Sequence, residues 1–219
     1  MADFKNPILA GLSKDEEKEL LLLRCMRHRF FKKGDIIFRS GELINEIGVV
    51  EKGSVLVESI DAWGNRSILN VNLPGQVFAE SYAMLSVPLM VDVTAAEDCI
   101  VLLMDTGRLI SPEYTETSWQ PRVLRNLIKA SSSKNLSLST RIFCTSSKKA
   151  RGRILTYLSG LSIENGTDEF DIPFDRQQMA DYLNLDRSAL SRELCRMQSD
   201  GLITFHRNHF KLLHTSKTI

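Results

Sequence analysis

The amino-acid sequence predicts an α+β protein with a β-rich first half, one long helix and a small helical C-terminal part. Three observations support this prediction. Short β-branched and aromatic runs recur from about residue 30 to residue 105, glycine is absent from residues 118–147, and helix-capping patterns return after residue 174. We therefore expect a β domain over residues 1–117, a helix over 118–147 and a second domain over 148–219.

Composition and charge exclude several classes of protein. The 219 residues are 43% hydrophobic and 25% charged, as in folded domains. The 28 Lys and Arg residues nearly balance the 27 Asp and Glu residues, so the net charge indicates no particular partner. No apolar run approaches the roughly 18 residues that a membrane span requires, and the N-terminus lacks a secretory signal pattern. We expect a cytoplasmic protein that has no membrane partner.

The cysteine spacing and the absence of catalytic motifs limit the chemistry. The four cysteines are far apart and never form C-x-x-C, which predicts neither a disulfide framework nor a zinc site. Cys25 is either an inert packed residue, which we favour, or a single redox thiol. The sequence contains no G-x-S-x-G, H-E-x-x-H or P-loop motif. We expect no metal, no cofactor and no enzymatic activity.

The first domain begins with a short helix and continues as an antiparallel barrel or roll. Ser13 and Glu16 have capping-box spacing, which predicts a helix after Ser13. Five apolar runs separated by glycine-containing turns predict strands. The runs cover residues 36–38, 47–50, 55–57, 68–71 and 100–104, and the turns cover residues 34–35, 40–41, 52–53, 63–65 and 74–75. Many short strands at this spacing are typical of a closed or rolled antiparallel sheet.

Residues 118–147 are predicted to form a long helix that pairs with a second copy of the chain. Pro121 lies near the start, where its missing N–H is tolerated. A partly apolar seam recurs at spacings near 3.5, and helices longer than about 25 residues usually pair. We expect the dimer interface at Leu124, Leu127, Ser131, Leu138 and Thr145. The alternative is an amphipathic helix that packs only on its own barrel.

Two short capped helices are predicted in the second domain. Asp175 and Gln178 have capping-box spacing, and Asp186 can cap a second helix after a turn of three to four residues. Leu190, Leu194 and Met197 would face inward at i, i+4 and i+7. The residues that remain outward on the second helix are Arg187, Ser188, Ser191 and Arg192.

This arrangement is that of a helix-turn-helix that binds DNA. A helix fits the major groove, and an arginine can donate two hydrogen bonds to guanine. The apolar segments after Gly201 predict two strands around a polar turn, a wing on which Arg207 and Lys211 would contact phosphate. The alternative is a helical subdomain with a solvated charged face.

With these motifs in place, the chain resembles the cyclic-AMP receptor protein/FNR (Crp/Fnr) family of bacterial transcription regulators. The resemblance rests on the segments 31–42, 53–55 and 74–80 and on the C-terminal third. Arg176 and Gln177 match the pair that opens the first motif helix of the family, and Arg192 matches its base-reading arginine. Ser188 stands where FNR-type regulators carry a Glu, so their half-site is not implied here.

The resemblance implies a fold and a set of partners. Residues 1–117 would form a double-stranded β-helix, a cyclic-nucleotide-binding-like jelly roll that senses a ligand. Residues 118–147 would be the dimerisation helix, and residues 148–219 a winged helix-turn-helix DNA-binding domain. The expected partners are a second copy, double-stranded DNA with an inverted-repeat operator, a small-molecule effector and RNA polymerase. A ligand-binding module without DNA binding is the alternative from another class.

The residues of the implied ligand pocket argue against cyclic AMP. Glu80 occupies the ribose-acceptor position, but residues 86–92 contain no Arg or Lys to pair a phosphate. Leaving that charge unpaired would cost several kcal/mol. Leu138 and Ser139 match an adenine-contacting Thr-Ser pair of the family, and the leucine cannot replace the hydroxyl of the threonine. We expect a small, uncharged or aromatic effector near Glu80, Ser81 and Tyr82, or a vestigial pocket.

Overall fold

The protein is described by a computed structural model, which covers residues 6–60 and 66–213. The chain divides into two compact units, Met1–Ser133 and Lys134–Ile219. The boundary falls inside the longest helix, so the predicted 118–147 segment contributes to both units. The turn expected at residues 63–65 lies outside the described residues.

The first unit contains two four-stranded antiparallel sheets, as expected for a β-roll. One sheet has the order β1-β8-β3-β6 and the other has the order β2-β7-β4-β5. The strands are β1 (Met26–Phe31), β2 (Ile36–Phe38), β3 (Glu46–Lys52), β4 (Val55–Ile60), β5 (Arg66–Asn72), β6 (Val77–Phe78), β7 (Asp92–Ala95) and β8 (Cys99–Asp105). Each of the five predicted apolar runs lies in one of these strands.

Short helices surround the strands of this unit. They are α1 (Lys14–Leu22), α2 (Glu80–Leu85), α3 (Thr106–Leu109) and a 3-10 turn at Pro112–Tyr114. The predicted capping box at the start of α1 is confirmed, because Ser13 and Glu16 exchange both hydrogen bonds. The long helix α4 (Gln120–Thr145) starts beside the buried Trp119.

Close packing between β3 and β6 depends on a glycine. A Cβ built at Gly48 would lie 2.1 Å from the Phe78 ring, so no larger residue fits there without movement. Phe78 in turn packs in the core of the roll with Val50 and Leu103. The apolar face of β3 therefore meets the aromatic ring directly.

The second unit contains the C-terminal part of α4 and a helix-turn-helix with a small sheet. Its further elements are α5 (Ala150–Asn165), β9 (Glu169–Asp171), α6 (Arg176–Tyr182), α7 (Arg187–Ser199), β10 (Ile203–His206) and β11 (His209–Leu212). The antiparallel sheet has the order β10-β11-β9. Leu190, Leu194 and Met197 are fully buried, which confirms the predicted inward face of α7.

Candidate nucleic-acid interface

Helices α6 and α7 form a helix-turn-helix whose local structure follows from its caps. Asp175 and Gln178 form the predicted capping box at the start of α6. Asn184 in the turn has φ +51°, a left-handed conformation that Asn tolerates better than most residues. The Asp186 carboxylate then accepts a 2.9 Å hydrogen bond from the Ala189 N–H and caps α7. The turn therefore spans the four residues 183–186.

The first two turns of α7 present two arginines whose side chains form no hydrogen bond or ion pair in the described part of the chain. Arg187 and Arg192 are exposed, and their side chains form no hydrogen bond or ion pair with a described residue. Ser191 is half-buried and donates a 3.0 Å hydrogen bond to the Arg187 carbonyl. Ser188 is exposed and donates to the capping carboxylate of Asp186. The two guanidinium groups are thus available to an external acceptor.

Arg176 lies elsewhere, against the wing. Its guanidinium is 5.1 Å from the centroid of the Phe205 ring and 5.4 Å from that of Phe210. Its Nη2 donates a 2.9 Å hydrogen bond to the Arg207 carbonyl. Burial lowers the pKa of Arg176 from its ordinary value. Arg176, which was predicted to contact DNA, therefore joins the start of α6 to the turn of the wing.

The remaining predicted phosphate contacts differ in their availability. Arg207 is exposed in the β10–β11 turn with φ +54°. Lys211 is 2.8 Å from a Glu169 carboxylate oxygen, so phosphate would compete with that carboxylate. Gln177 is exposed, and its amide donates a 2.9 Å hydrogen bond to Asp181.

A histidine on β11 faces two carboxylates of β9. His209 Nε2 lies 3.2 Å from Glu169, and its Nδ1 lies 3.0 Å from Asp171. Both hydrogen bonds raise the pKa of His209 above its ordinary value, and the hydrogen bond with Glu169 has the larger effect. Lys211 and His209 together lower the pKa of Glu169. The charge on this side of the wing therefore changes with pH.

Two arginines that the sequence reasoning missed hold the C-terminal end of α6. Arg153 donates to the Leu183 carbonyl at 3.1 Å and to the Asn184 carbonyl at 2.8 Å. Arg141 on α4 donates to the Asp181 and Tyr182 carbonyls at 3.2 and 3.3 Å. Cations at a helix C-terminus satisfy its free carbonyls and oppose the negative end of the dipole. Only contact with a distant segment identifies these roles, since nothing in the local sequence marks either arginine.

Helix α4 carries a partly exposed stripe that differs in part from the predicted seam. Residues at alternating spacings of four and three form a heptad pattern that we call the α4 stripe: Leu124, Ile128, Ser131, Asn135, Leu138, Ile142 and Thr145. Ile128, Leu138 and Ile142 are exposed. Leu127, predicted for the interface, is only 4% exposed and packs in the core of the first unit. The alternating 4–3 spacing was the signal by which Ile128 and Ile142 could have been found.

In the β-roll, the structure places the predicted effector residues on α2. Glu80 is buried, Ser81 is exposed and Tyr82 is half-buried. Ala79 before them adopts a left-handed conformation with φ +63°. The position at which a nucleotide binder would carry an arginine falls near Leu89 or Met90. Leu89 is 3% exposed and packs in the core of the roll, whereas Met90 is exposed.

The other predicted ligand residues, Leu138 and Ser139, are exposed on the part of α4 that belongs to the second unit. Their role in ligand binding stays a prediction.

The buried cysteines are packed in apolar surroundings. Cys25, Cys99 and Cys144 are buried, and burial raises the pKa of each thiol, whereas Cys195 is exposed. Within residues 6–60 and 66–213, no group of His, Cys, Asp and Glu is placed to hold a metal ion. Among the same residues, no helix has the length and apolarity needed to cross a membrane.

Comparison with known families matches both units of the chain. Residues 28–111 match the cyclic nucleotide-binding domain, and residues 152–217 match the Crp-like helix-turn-helix domain. The transcriptional activator protein FnrA of Stutzerimonas stutzeri is 26% identical over 192 residues, covering 85% of this chain and 77% of FnrA. The transcriptional activator protein anr of Pseudomonas aeruginosa is 28% identical over 183 residues, covering 81% of this chain and 73% of anr.

Solved structures show the same fold at lower identity. The catabolite activator protein of Thermus thermophilus superimposes with a TM-score of 0.53 at 21% identity, covering 94% of this chain and 93% of that protein. CprK in complex with OCPA superimposes with a TM-score of 0.61 at 15% identity, covering 90% of this chain and 92% of CprK. The β-roll, long helix and helix-turn-helix therefore occur in the same order in these proteins.

Proposed function

Because this chain belongs to the Crp/Fnr family of DNA-binding transcription regulators, we propose that it binds an inverted-repeat operator as a homodimer. The observation that carries the proposal is the pair of exposed arginines on the first two turns of α7, Arg187 and Arg192, whose side chains form no hydrogen bond or ion pair with a described residue. In a two-fold dimer, the two α7 helices enter successive major grooves about 34 Å apart.

The side chains of the interface have separate roles. Arg192 donates to guanine O6 and N7, and Arg187 lies five residues earlier, at the first position of α7. The small Ser188 and Ser191 allow the helix to approach the base edges closely. Arg207, Gln177 and Lys211 contact phosphate and set the position of the protein on the duplex. Arg176 acts indirectly, because its hydrogen bond to the Arg207 carbonyl fixes the wing turn.

The α4 stripe is the dimer seam. Leucine, isoleucine and small polar residues alternate at the a and d positions of a two-stranded coiled coil, with Asn135 at a central a position. A single asparagine at such a position fixes the register of the two helices at some cost in stability. The exposure of Ile128 and Ile142 in the single chain supports this assignment, since pairing would bury both.

The effector is not cyclic AMP or cyclic GMP. The position of the phosphate-pairing arginine falls near Leu89 or Met90, and both side chains are apolar and cannot pair a phosphate. Isothermal titration with cyclic AMP should give no dissociation constant below about 10 μM, which corresponds to roughly −7 kcal/mol. A tighter constant would overturn this part of the proposal. A vestigial pocket in a regulator that needs no ligand is the second candidate.

The remaining parts of the proposal concern the cellular context. The homologues are transcriptional activators, and we place this protein with the same class of regulators, without a catalytic role. It acts in the cytoplasm, where the operator DNA is, and contacts RNA polymerase from the promoter.

DNA binding is tested with duplexes selected by the protein from a random-sequence library. Fluorescence anisotropy measures affinity for the selected duplex and for a scrambled duplex of equal length. The Arg187→Ala/Arg192→Ala variant should lose the preference for the selected duplex. Arg196→Ala is the matched control, because Arg196 lies on the last turn of α7 and pairs with Glu193 at 3.7 Å. Absence of any duplex preference in the native protein would favour a ligand-binding module without DNA binding.

A further inference from the structure

A large apolar groove lies in the second unit between α4, α5 and the end of α6. Its volume is about 880 Å³. Leu136 and Phe143 line one wall and Ile163 lines the other, and all three side chains are at least two-thirds exposed. Grooves of about 300 to 1,000 Å³ with mostly apolar walls are typical of small-molecule sites. An apolar surface of this kind is rarely left uncovered unless it binds something.

The second copy of α4 does not cover this groove. Leu136 and Phe143 follow the a positions Asn135 and Ile142 by one residue and therefore occupy b positions. Positions b, c and f point away from the partner helix in a two-stranded coiled coil. The groove thus stays open when the α4 stripe is paired.

The polar groups of the groove indicate the chemistry of its ligand. Tyr157 lines the groove and is only 6% exposed, and its hydroxyl has no hydrogen-bond partner among the described residues. Burial raises the pKa of Tyr157, so the hydroxyl stays protonated and can donate. Glu164 is the one charged residue in the described lining, which disfavours an anion. An uncharged aromatic molecule with a hydrogen-bond acceptor fits these features.

The groove also touches the helix-turn-helix. Tyr182, the last residue of α6, lines the groove. The Arg141 guanidinium on α4 lies 5.8 Å from the centroid of the Tyr182 ring and donates to its carbonyl. Tyr182 also contacts the Tyr157 ring at a centroid distance of 5.4 Å. A ligand in the groove therefore contacts both the long helix and the first helix of the DNA-binding motif.

The geometry points to a second effector site in this groove, for an uncharged aromatic molecule that accepts a hydrogen bond from Tyr157. Occupation would hold α4 against Tyr182 and thereby change the affinity for DNA. The coupling to DNA rests on the proposed function, whereas ligand binding itself does not.

The test uses the full-length protein and the uncharged naphthyl ketone dye Prodan, whose carbonyl can accept a hydrogen bond. Dye fluorescence is titrated in the absence of DNA. Gly160 lines the groove, and a Cβ added there meets nothing within 4 Å, so Gly160→Leu fills the groove without a backbone clash. Asn165→Leu is the matched control, because it adds the same side chain to an exposed position of α5 outside the lining.

The inference predicts saturable dye binding below about 100 μM, as expected for a ligand of this size. Gly160→Leu should weaken binding at least tenfold, and Asn165→Leu should leave it unchanged. Tyr157→Phe should weaken binding about two- to tenfold, as for the removal of one hydrogen bond. Ile163→Gln replaces Gly160→Leu if the latter does not fold.

Three results would overturn the inference. The first is the absence of saturable binding, and the second is equal binding by Gly160→Leu. The third is a shift of the Gly160→Leu variant from dimer to monomer in sedimentation velocity, which would make the groove a subunit contact. The Arg187→Ala/Arg192→Ala variant separates the two proposals, since it should lose operator preference and keep dye binding. Dye binding without any change in the DNA affinity of the native protein would refute the coupling.

Discussion

Replacing Arg192 with alanine isolates one base contact with little effect on the fold. Arg192 is the sixth residue of α7 and is exposed, and its side chain forms no ion pair or hydrogen bond with a described residue. Arginine and alanine have similar helix propensities, so the free energy of unfolding should change by no more than about 0.5 kcal/mol. A change in DNA affinity would therefore report the contact itself.

The expected magnitude follows from the two-fold symmetry of the complex. A bidentate arginine–guanine pair contributes about 1 to 3 kcal/mol of discrimination, and a dimer contains two such pairs. Arg192→Ala should therefore weaken binding to the selected duplex by about 2 to 6 kcal/mol, or roughly 30-fold to 10⁴-fold. Binding to the scrambled duplex should change much less, because only the charge contribution is removed there.

The matched comparison is Arg207→Asn, measured by anisotropy at several salt concentrations. Asparagine tolerates the left-handed conformation of residue 207, so the wing turn is retained. This variant should bind both duplexes more weakly by the same factor. The slope of log affinity against log salt concentration should become less steep by about two units per dimer. Equal losses on both duplexes for Arg192→Ala would refute its role in base recognition. If Arg207→Asn loses affinity for the selected duplex alone, Arg207 does not contact phosphate.

Three further predictions concern assembly and stability. Ile142→Asp should place a charge in the α4 stripe and convert the dimer to a monomer in sedimentation velocity. Thr140→Asp, at a position that faces away from the partner helix, should leave the dimer intact. A monomeric Thr140→Asp would contradict the heptad assignment. The pKa of His209 is raised above 6.5, so its stabilising contribution is full below about pH 6.5 and is lost as pH rises through the higher folded value. The free energy of unfolding of His209→Gln, measured by urea titration at several pH values, should lose that pH dependence. If the pH dependence of the variant equals that of the native protein, His209 is not its source. Leu194→Ala should lower the free energy of unfolding by about 2 to 5 kcal/mol in a urea titration, and a decrease below about 1 kcal/mol would show that Leu194 is not in a packed core.

Local signals in the sequence were sufficient for the elements that depend on near neighbours. The capping boxes at Ser13 and Asp175 and the inward face of α7 each involve residues within one or two turns of a helix. Strand β9 was not predicted, because its sequence Glu-Phe-Asp carries little β pattern and the strand forms by pairing with β11.

Side-chain roles that depend on distant contacts were not predictable in the same way. Arg176 was assigned to DNA by resemblance, yet its surroundings are two rings and a carbonyl that lie about thirty residues further along the chain. The phase of the α4 seam was also ambiguous, since Leu127 and Ile128 are equally apolar neighbours. Only packing against the first unit shows that Leu127 turns inward and Ile128 outward.

The sequence by itself determined the order of the β-rich and helical parts and the positions of the two helices of the helix-turn-helix, because periodicity, caps and turns act over a few residues. The absence of Arg and Lys from residues 86–92 was likewise visible in the sequence. The tertiary structure alone decided which arginines are available to DNA and which hold the wing and α6, because hydrogen bonds between distant segments determine this. It also placed Tyr157 and Tyr182 in a groove beside α4, where a ligand can contact the helix-turn-helix.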